Sequence, residues 1–127
     1  KGGAAAGSIA HDSHNLIAIG DDDEAILSAL RALATSGGGV SLAAAGGDLL
    51  GVLPLPLGGL MTDADGRDTA ARMDELISIA HDKLGVREGL DPFMTLSFLA
   101  LPVIPDLKLT ARGLFDVKNF EFVSVEA

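Results

Sequence analysis

The chain has no cysteine, no tryptophan and no tyrosine, and only nine basic residues against eighteen acidic ones. Without cysteine there can be no disulfide, no thiolate metal site and no cysteine nucleophile. The net charge of −9 repels nucleic acid and anionic membrane surfaces. No run approaches the ~18 uninterrupted apolar residues of a transmembrane helix, and Lys1 to Gly7 carries too little charge and too little leucine for a signal peptide. The five phenylalanines all fall between Phe93 and Phe122, which suits a core or an interface in the last third better than a base-stacking platform.

What is present fits one soluble globular domain. The chain has 127 residues, 48% apolar and 21% charged, and a domain of that size buries roughly two thirds of its unfolded surface. Residues 1–7, rich in glycine and alanine and lacking an initial methionine, read as a flexible linker or a cut end. That leaves 8–127 as the domain. Ser8-Ile9-Ala10 reads as a short strand and Leu16 to Ile19 as a well-buried one.

Asp21-Asp22-Asp23-Glu24 marks a helix start, since carboxylates cap free N–H groups and suit the positive end of the dipole. The helix runs to about Thr35 and ends at Ser36-Gly37-Gly38-Gly39. Val40 to Ala44 and Leu49 to Leu53 flank Gly46-Gly47, a hairpin signal. Two prolines make Leu53 to Met61 an extended apolar loop rather than a central strand. Thr62 or Asp63 opens a second helix, and Gly85 stops it.

Phe93 to Leu101 is ambiguous between a short helix and a buried strand. Leu107 to Thr110, Leu114 to Val117 and Phe120 to Val125 read as strands. Local hairpins with two or more helices packed on them give an α+β fold with a mainly antiparallel sheet.

Chemistry concentrates in His11-Asp12-Ser13-His14-Asn15, next to a rigid apolar run. On a helix His11 and His14 would share a face as ligands, although the following strand argues against helical geometry. Asp12 is placed to orient an imidazole. The structural reading is a hydrogen-bonded turn in which Asp12, Ser13 and Asn15 satisfy backbone groups, the commoner outcome for a protein chosen at random. No third or fourth ligand can be identified, so no metal site is assigned. The acidic run lacks the glycine and distal glutamate of a calcium loop. The glycine run lacks the lysine of a phosphate loop.

His81, late in the second helix, sits where histidine is ordinary. Ser13 and Ser97 lack a nucleophile-elbow context. The apolar stretch from Pro92 to Leu109 carries more apolar surface than a small sheet needs, so part of it is expected to face another domain or subunit.

Four segments in order resemble the C-terminal domain of bacterial and archaeal adenine deaminases. They are Ser8 to Asn15, Leu53 to Met61, Asp91 to Pro105 and Leu107 to Val117, and the likeness extends from about Ser8 to Val123. It implies part of an amidohydrolase that converts adenine and water to hypoxanthine and ammonia, a cytoplasmic activity of purine salvage. It also implies divalent metal ions (manganese, iron or zinc) bound at the top of a (β/α)8 barrel. A barrel of roughly 250 residues does not fit in this chain, and its His-x-His motif does not occur here, so no catalytic or metal-binding residue carries over.

The expected partners are that barrel domain and adenine, with a homo-oligomer left open. His11, Asp12, Ser13, His14 and Asn15 become substrate-proximal candidates that close the barrel mouth, and Pro92, Phe93, Met94 and Phe98 become barrel-interface candidates. Two other readings stand beside this one: a non-catalytic small-molecule-binding or oligomerisation module, and an independent hydrolase using His11, Asp12 and His14.

Overall fold

A strand of glycine and alanine occupies the centre of the molecule. The computed structural model describes residues 2–11 and 14–126, and Gly3–Gly7, expected as linker, forms strand β1 with every residue buried. Small side chains are what this position requires. A Cβ on Gly3 would lie 2.4 Å from the Ala43 carbonyl oxygen and 2.6 Å from a Leu84 methyl, so anything larger would push a neighbour away. The glycine and alanine content that suggests flexibility is here a consequence of close packing on both faces.

β1 lies between β2 (Ile17–Gly20) and β3 (Gly39–Ala44), and β4 (Leu49–Pro54) completes the order β2-β1-β3-β4. All three pairings are antiparallel. Ser8-Ile9-Ala10 is not a strand, because the ladder ends at Gly7. β2 is half-buried to exposed rather than well buried, since it is an edge strand with a neighbour on one side only. β3 and β4 form the expected hairpin around a turn of 3-10 helix at Ala45–Gly47.

Alternation along β1 sends its residues to two separate cores. Ala4 and Ala6, with Ala43, meet Ala25, Ala29 and Leu33 of helix α1 (Asp23–Ser36). Ala5, with Val40, Leu42, Leu53 and Leu55, meets Leu76, Ala80 and Leu84 of α2 (Gly66–Leu84) and Phe93 of α3 (Pro92–Ser97). α1 begins as expected: the Asp22 carboxylate accepts from the Ala25 N–H at 2.7 Å, and left-handed Gly37 ends the helix.

α2 starts later than expected, capped by Asp65 rather than by Thr62 or Asp63. Thr62 instead accepts from the Ala64 N–H in a local turn. Gly85 ends α2 in the left-handed region, and His81 Nδ1 lies 3.0 Å from the Val86 carbonyl just beyond. The ambiguous stretch after Leu90 starts as a helix because Asp91 caps two N–H groups and Pro92 suits the first turn.

The chain then leaves the central layers for a second, three-stranded antiparallel sheet, β5 (Leu107–Thr110), β6 (Gly113–Asp116) and β7 (Glu121–Val123). It is anchored by a hydrogen bond from the Leu109 N–H to the Leu99 carbonyl at 3.1 Å. Among the described residues, two antiparallel sheets with three α-helices make the fold α+β. Among the described residues no helix is long and apolar enough to cross a membrane.

Asp21 fastens the start of β1. Its carboxylate accepts from the Gly2 N–H at 2.8 Å and the Gly3 N–H at 2.9 Å. These backbone donors hold its pKa below the usual carboxylate range, the Gly2 bond contributing most. A folded-state pKa below the unfolded one gives stability that is complete above the unfolded value, about 3.9, and is lost as pH falls through the folded value. The stability gap between the natural protein and Asp21→Asn should therefore be full at about pH 7 and narrow as the solution is acidified below the unfolded value. Urea unfolding across that range checks it, and a gap independent of pH would contradict the assignment.

Candidate functional site

The end of the central sheet where β1 leaves and β2 begins is built around Ser8. This side chain is buried, 7% exposed. Its hydroxyl donates to the Gly59 carbonyl at 2.5 Å and accepts from the Gly39 N–H at 2.8 Å, while its own N–H donates to the Gly39 carbonyl at 2.9 Å. One serine thus joins the exit of β1, the turn between α1 and β3, and the loop between β4 and α2. Reading the sequence passed over Ser8. The signal available was two separated glycine clusters, Gly37 to Gly39 and Gly58-Gly59, but nothing in the order of residues pairs them.

The glycines permit the junction. Gly38 and Gly39 have φ of +115° and +126°, where side chains are strained. A Cβ on Gly38 would come within 2.4 Å of the Gly59 Cα, and one on Gly39 within 1.9 Å of the Leu53 carbonyl oxygen.

On this base sits the polar loop. Ala10 is fully buried, and the His11 N–H donates to the Ser97 carbonyl at 2.8 Å. The His11 ring stacks on Phe98, with centroids 5.4 Å apart and planes 25° off parallel. His14 takes a left-handed backbone, φ +46°, and its N–H reaches the Ala10 carbonyl at 3.3 Å. A left-handed residue does not continue a right-handed helix, so His14 does not share a helical face with His11.

Both imidazoles lie on exposed residues, and the Asn15 Oδ1 is buried with no hydrogen-bond partner among the described residues. Asp12 and Ser13, the other two substrate-proximal candidates, lie outside the described residues. Beside His14 opens a cleft of about 270 Å³ lined by Ser8, Leu16, Leu33, Gly38 and Gly59. Of its lining residues Leu16 is an exposed apolar side chain, and Phe98, against which His11 stacks, is likewise exposed.

The barrel-interface candidates divide. Pro92 and Phe93 are buried in this chain's own interior, Phe93 packing with Ala5 and Leu84 in one core, because the cap at Asp91 turns the first residues of α3 onto the sheet. Phe93 belongs to that core, and Pro92, also buried, lines a larger cleft beside it. Met94 and Phe98 are exposed.

A larger apolar cleft of about 520 Å³ lies between the β1–β2 face, the end of α2 and α3, lined by Ile19, Leu84, Val86, Leu90, Leu96 and Leu99 among others. Its carboxylate, Asp21, is already engaged by the Gly2 and Gly3 N–H groups. Among the described residues no three His, Asp or Glu side chains converge as a metal site would require, and Asp22, Asp65 and Asp91 are occupied as helix caps.

Ser8→Ala should remove about 1–3 kcal/mol of stability by orphaning a buried N–H and a carbonyl, and Gly39→Ala should cost more. Chemical denaturation measures both. A neutral Ser8→Ala would show that the junction does not depend on the hydroxyl.

A family model described as adenine deaminase C-terminal domain matches residues 1–121, β1 included. The chain is 52% identical over 98% of its length to an adenine deaminase of Nitratidesulfovibrio vulgaris strain Hildenborough. It is 52% identical over 97% to an adenine deaminase of Desulfatibacillum aliphaticivorans and 47% identical over 99% to one of Bacillus subtilis strain 168. It spans 21–22% of the length of these relatives. With a match across β1, both cores and the polar loop, the chain belongs to the adenine deaminase C-terminal domain family.

Proposed function

We propose that this chain is the C-terminal domain of a metal-dependent adenine deaminase, which converts adenine and water to hypoxanthine and ammonia in the cytoplasm. In this reading the His11 to Asn15 loop closes the active site of a separate catalytic (β/α)8 part, and the chain by itself is inactive. The observation that carries the reading is the presentation of His11 and His14, both exposed, at a sheet end held by buried Ser8, with the His11 ring stacked on Phe98 and Leu16 lining the cleft beside His14. Polar groups set beside apolar side chains suit a lid that excludes water and offers hydrogen bonds.

The chemistry of the loop fits a purine. Each imidazole offers ring nitrogens that donate or accept according to protonation, and the Asn15 carboxamide both donates and accepts. The edge of adenine alternates ring-nitrogen acceptors with N–H donors, so such groups can orient it while the amino-bearing carbon faces the attacking water. Asn15 Oδ1 is buried and has no hydrogen-bond partner among the described residues. A divalent ion (manganese, iron or zinc) supplies the activated water when bound. The described residues of this chain do not fit such an ion, so it belongs to the catalytic part and none of the steps assigned to this chain runs through it.

A second reading, a non-catalytic small-molecule-binding module, is favoured by one observation, the apolar cleft of about 520 Å³. Ammonia release from adenine by a full-length enzyme carrying this domain separates the two. His14→Asn keeps a residue that tolerates the left-handed backbone and removes the imidazole. The expected outcome is a fall of about ten- to a hundredfold in kcat/KM, as for a lost positioning contact, with the melting temperature unchanged. Unaltered turnover would end the loop-closure reading, and steady turnover by the 127-residue chain alone would end the assignment of the chemistry to another part.

A further inference from the structure

The second sheet is two-faced, and its register sorts the faces. On one, Lys108, Phe115 and Phe122 stand opposite one another. On that face the rings meet one another, Phe115 against Phe120 and Phe122 edge-on at 5.3 and 5.1 Å with the Arg112 guanidinium 5.1 Å from the Phe122 ring centre, although Phe120 and Phe122 remain exposed. On the other, Leu109, Leu114 and Val123 form a row across all three strands, with Leu107 beside them. Leu107 and Leu109 are 50% and 54% exposed, and no residue in β5, β6 or β7 is buried. A small sheet needs one apolar face packed against something to be stable in water.

We propose that this aliphatic face docks on the remainder of the parent polypeptide, the part that the relatives carry outside the matched fifth. Three observations select that occupant. The relatives are single chains of which the match spans 21–22%, so a large body is tethered to the domain at high local concentration. The end of α3 and the residues just after it hold both the sheet and His11, since Ser97 accepts from His11 and Leu99 accepts from Leu109. A body covering the loop is therefore adjacent to the sheet.

The third observation argues against a second copy. Asp116 and Glu121 pair on the same face as the leucines, and the chain carries −9, so face-to-face self-association would bring carboxylates together. The proposal rests on the reading that a further part of the enzyme adjoins this domain, and it is independent of what His14 does there.

Hydrogen exchange read by mass spectrometry tests it, on the 127-residue chain and on full-length Bacillus subtilis adenine deaminase. The β3–β4 hairpin, buried in both, serves as the internal reference. The expected result is equal protection of that hairpin and at least tenfold slower exchange across β5 to β7 in the full-length enzyme. Aspartate at the position aligned with Leu109 should abolish the difference while leaving the hairpin protected.

Equal exchange of β5 to β7 in both proteins would overturn the proposal. So would a dimer of the 127-residue chain, seen by sedimentation, that Leu109→Asp dissociates. Protection of the sheet together with unaltered turnover of His14→Asn would keep the docking face and reject the loop-closure reading. Loss of turnover without protection would do the reverse.

Discussion

The architecture depends on how closely two layers of helix approach a strand that has almost no side chains. β1 is Gly-Ala-Ala-Ala-Gly with α1 on one face and α2 and α3 on the other. Dispersion and apolar burial act over short distances, so lowering the strand's profile lets Leu33, Leu76 and Leu84 reach the sheet from opposite sides. The same low profile accounts for the cleft between α3 and the β1–β2 face, where Gly3, Ala4, Ala5 and Gly20 form part of the floor. One compositional choice therefore produces a tight centre and an open margin.

At the sheet end, further bonds fix Ser8 and His11. Ser8 is the first residue beyond β1, and its hydroxyl joins the two glycine turns. His11 is tied three residues later to α3 through Ser97 and Phe98. The loop therefore rises from fixed points at either side of the sheet end. A group intended to meet a substrate held by another part of an enzyme needs such support, because errors in its position add to those of the domain that carries it.

Much of this was legible beforehand, for identifiable reasons. α1, the β3–β4 hairpin and the end of α2 were marked by local chemistry: Asp22 as cap, Gly46-Gly47 in the turn, Gly37 and Gly85 in left-handed stops. The start of α2 was misplaced because Thr62, Asp63 and Asp65 are all competent caps, and only the structure shows which one the backbone selects. β1 was misread because its evidence is entirely tertiary: glycine and alanine have weak strand preference, and burial between two helical layers overrides it. The polar loop drew notice by its residue types, whereas Ser8 beside it was missed, since a buried serine and two distant glycine turns carry no common signature. Phe93 and Phe98 are five residues apart and were grouped as one interface, but a helical turn sends them to opposite destinations, core and surface.

The bland composition of β1 also bears on how the chain survives its own synthesis. β1 precedes every partner it needs, and its register with β3 joins Gly3 to Ala44 and Gly7 to Val40. Until that distant segment is available, one edge of the strand has no partner, whatever β2 does on the other. A valine- or isoleucine-rich strand in that position would be a template for pairing with other nascent chains. Five residues of glycine and alanine offer little to bind, so the strand destined for the centre of the sheet is nearly inert until the hairpin that completes it arrives.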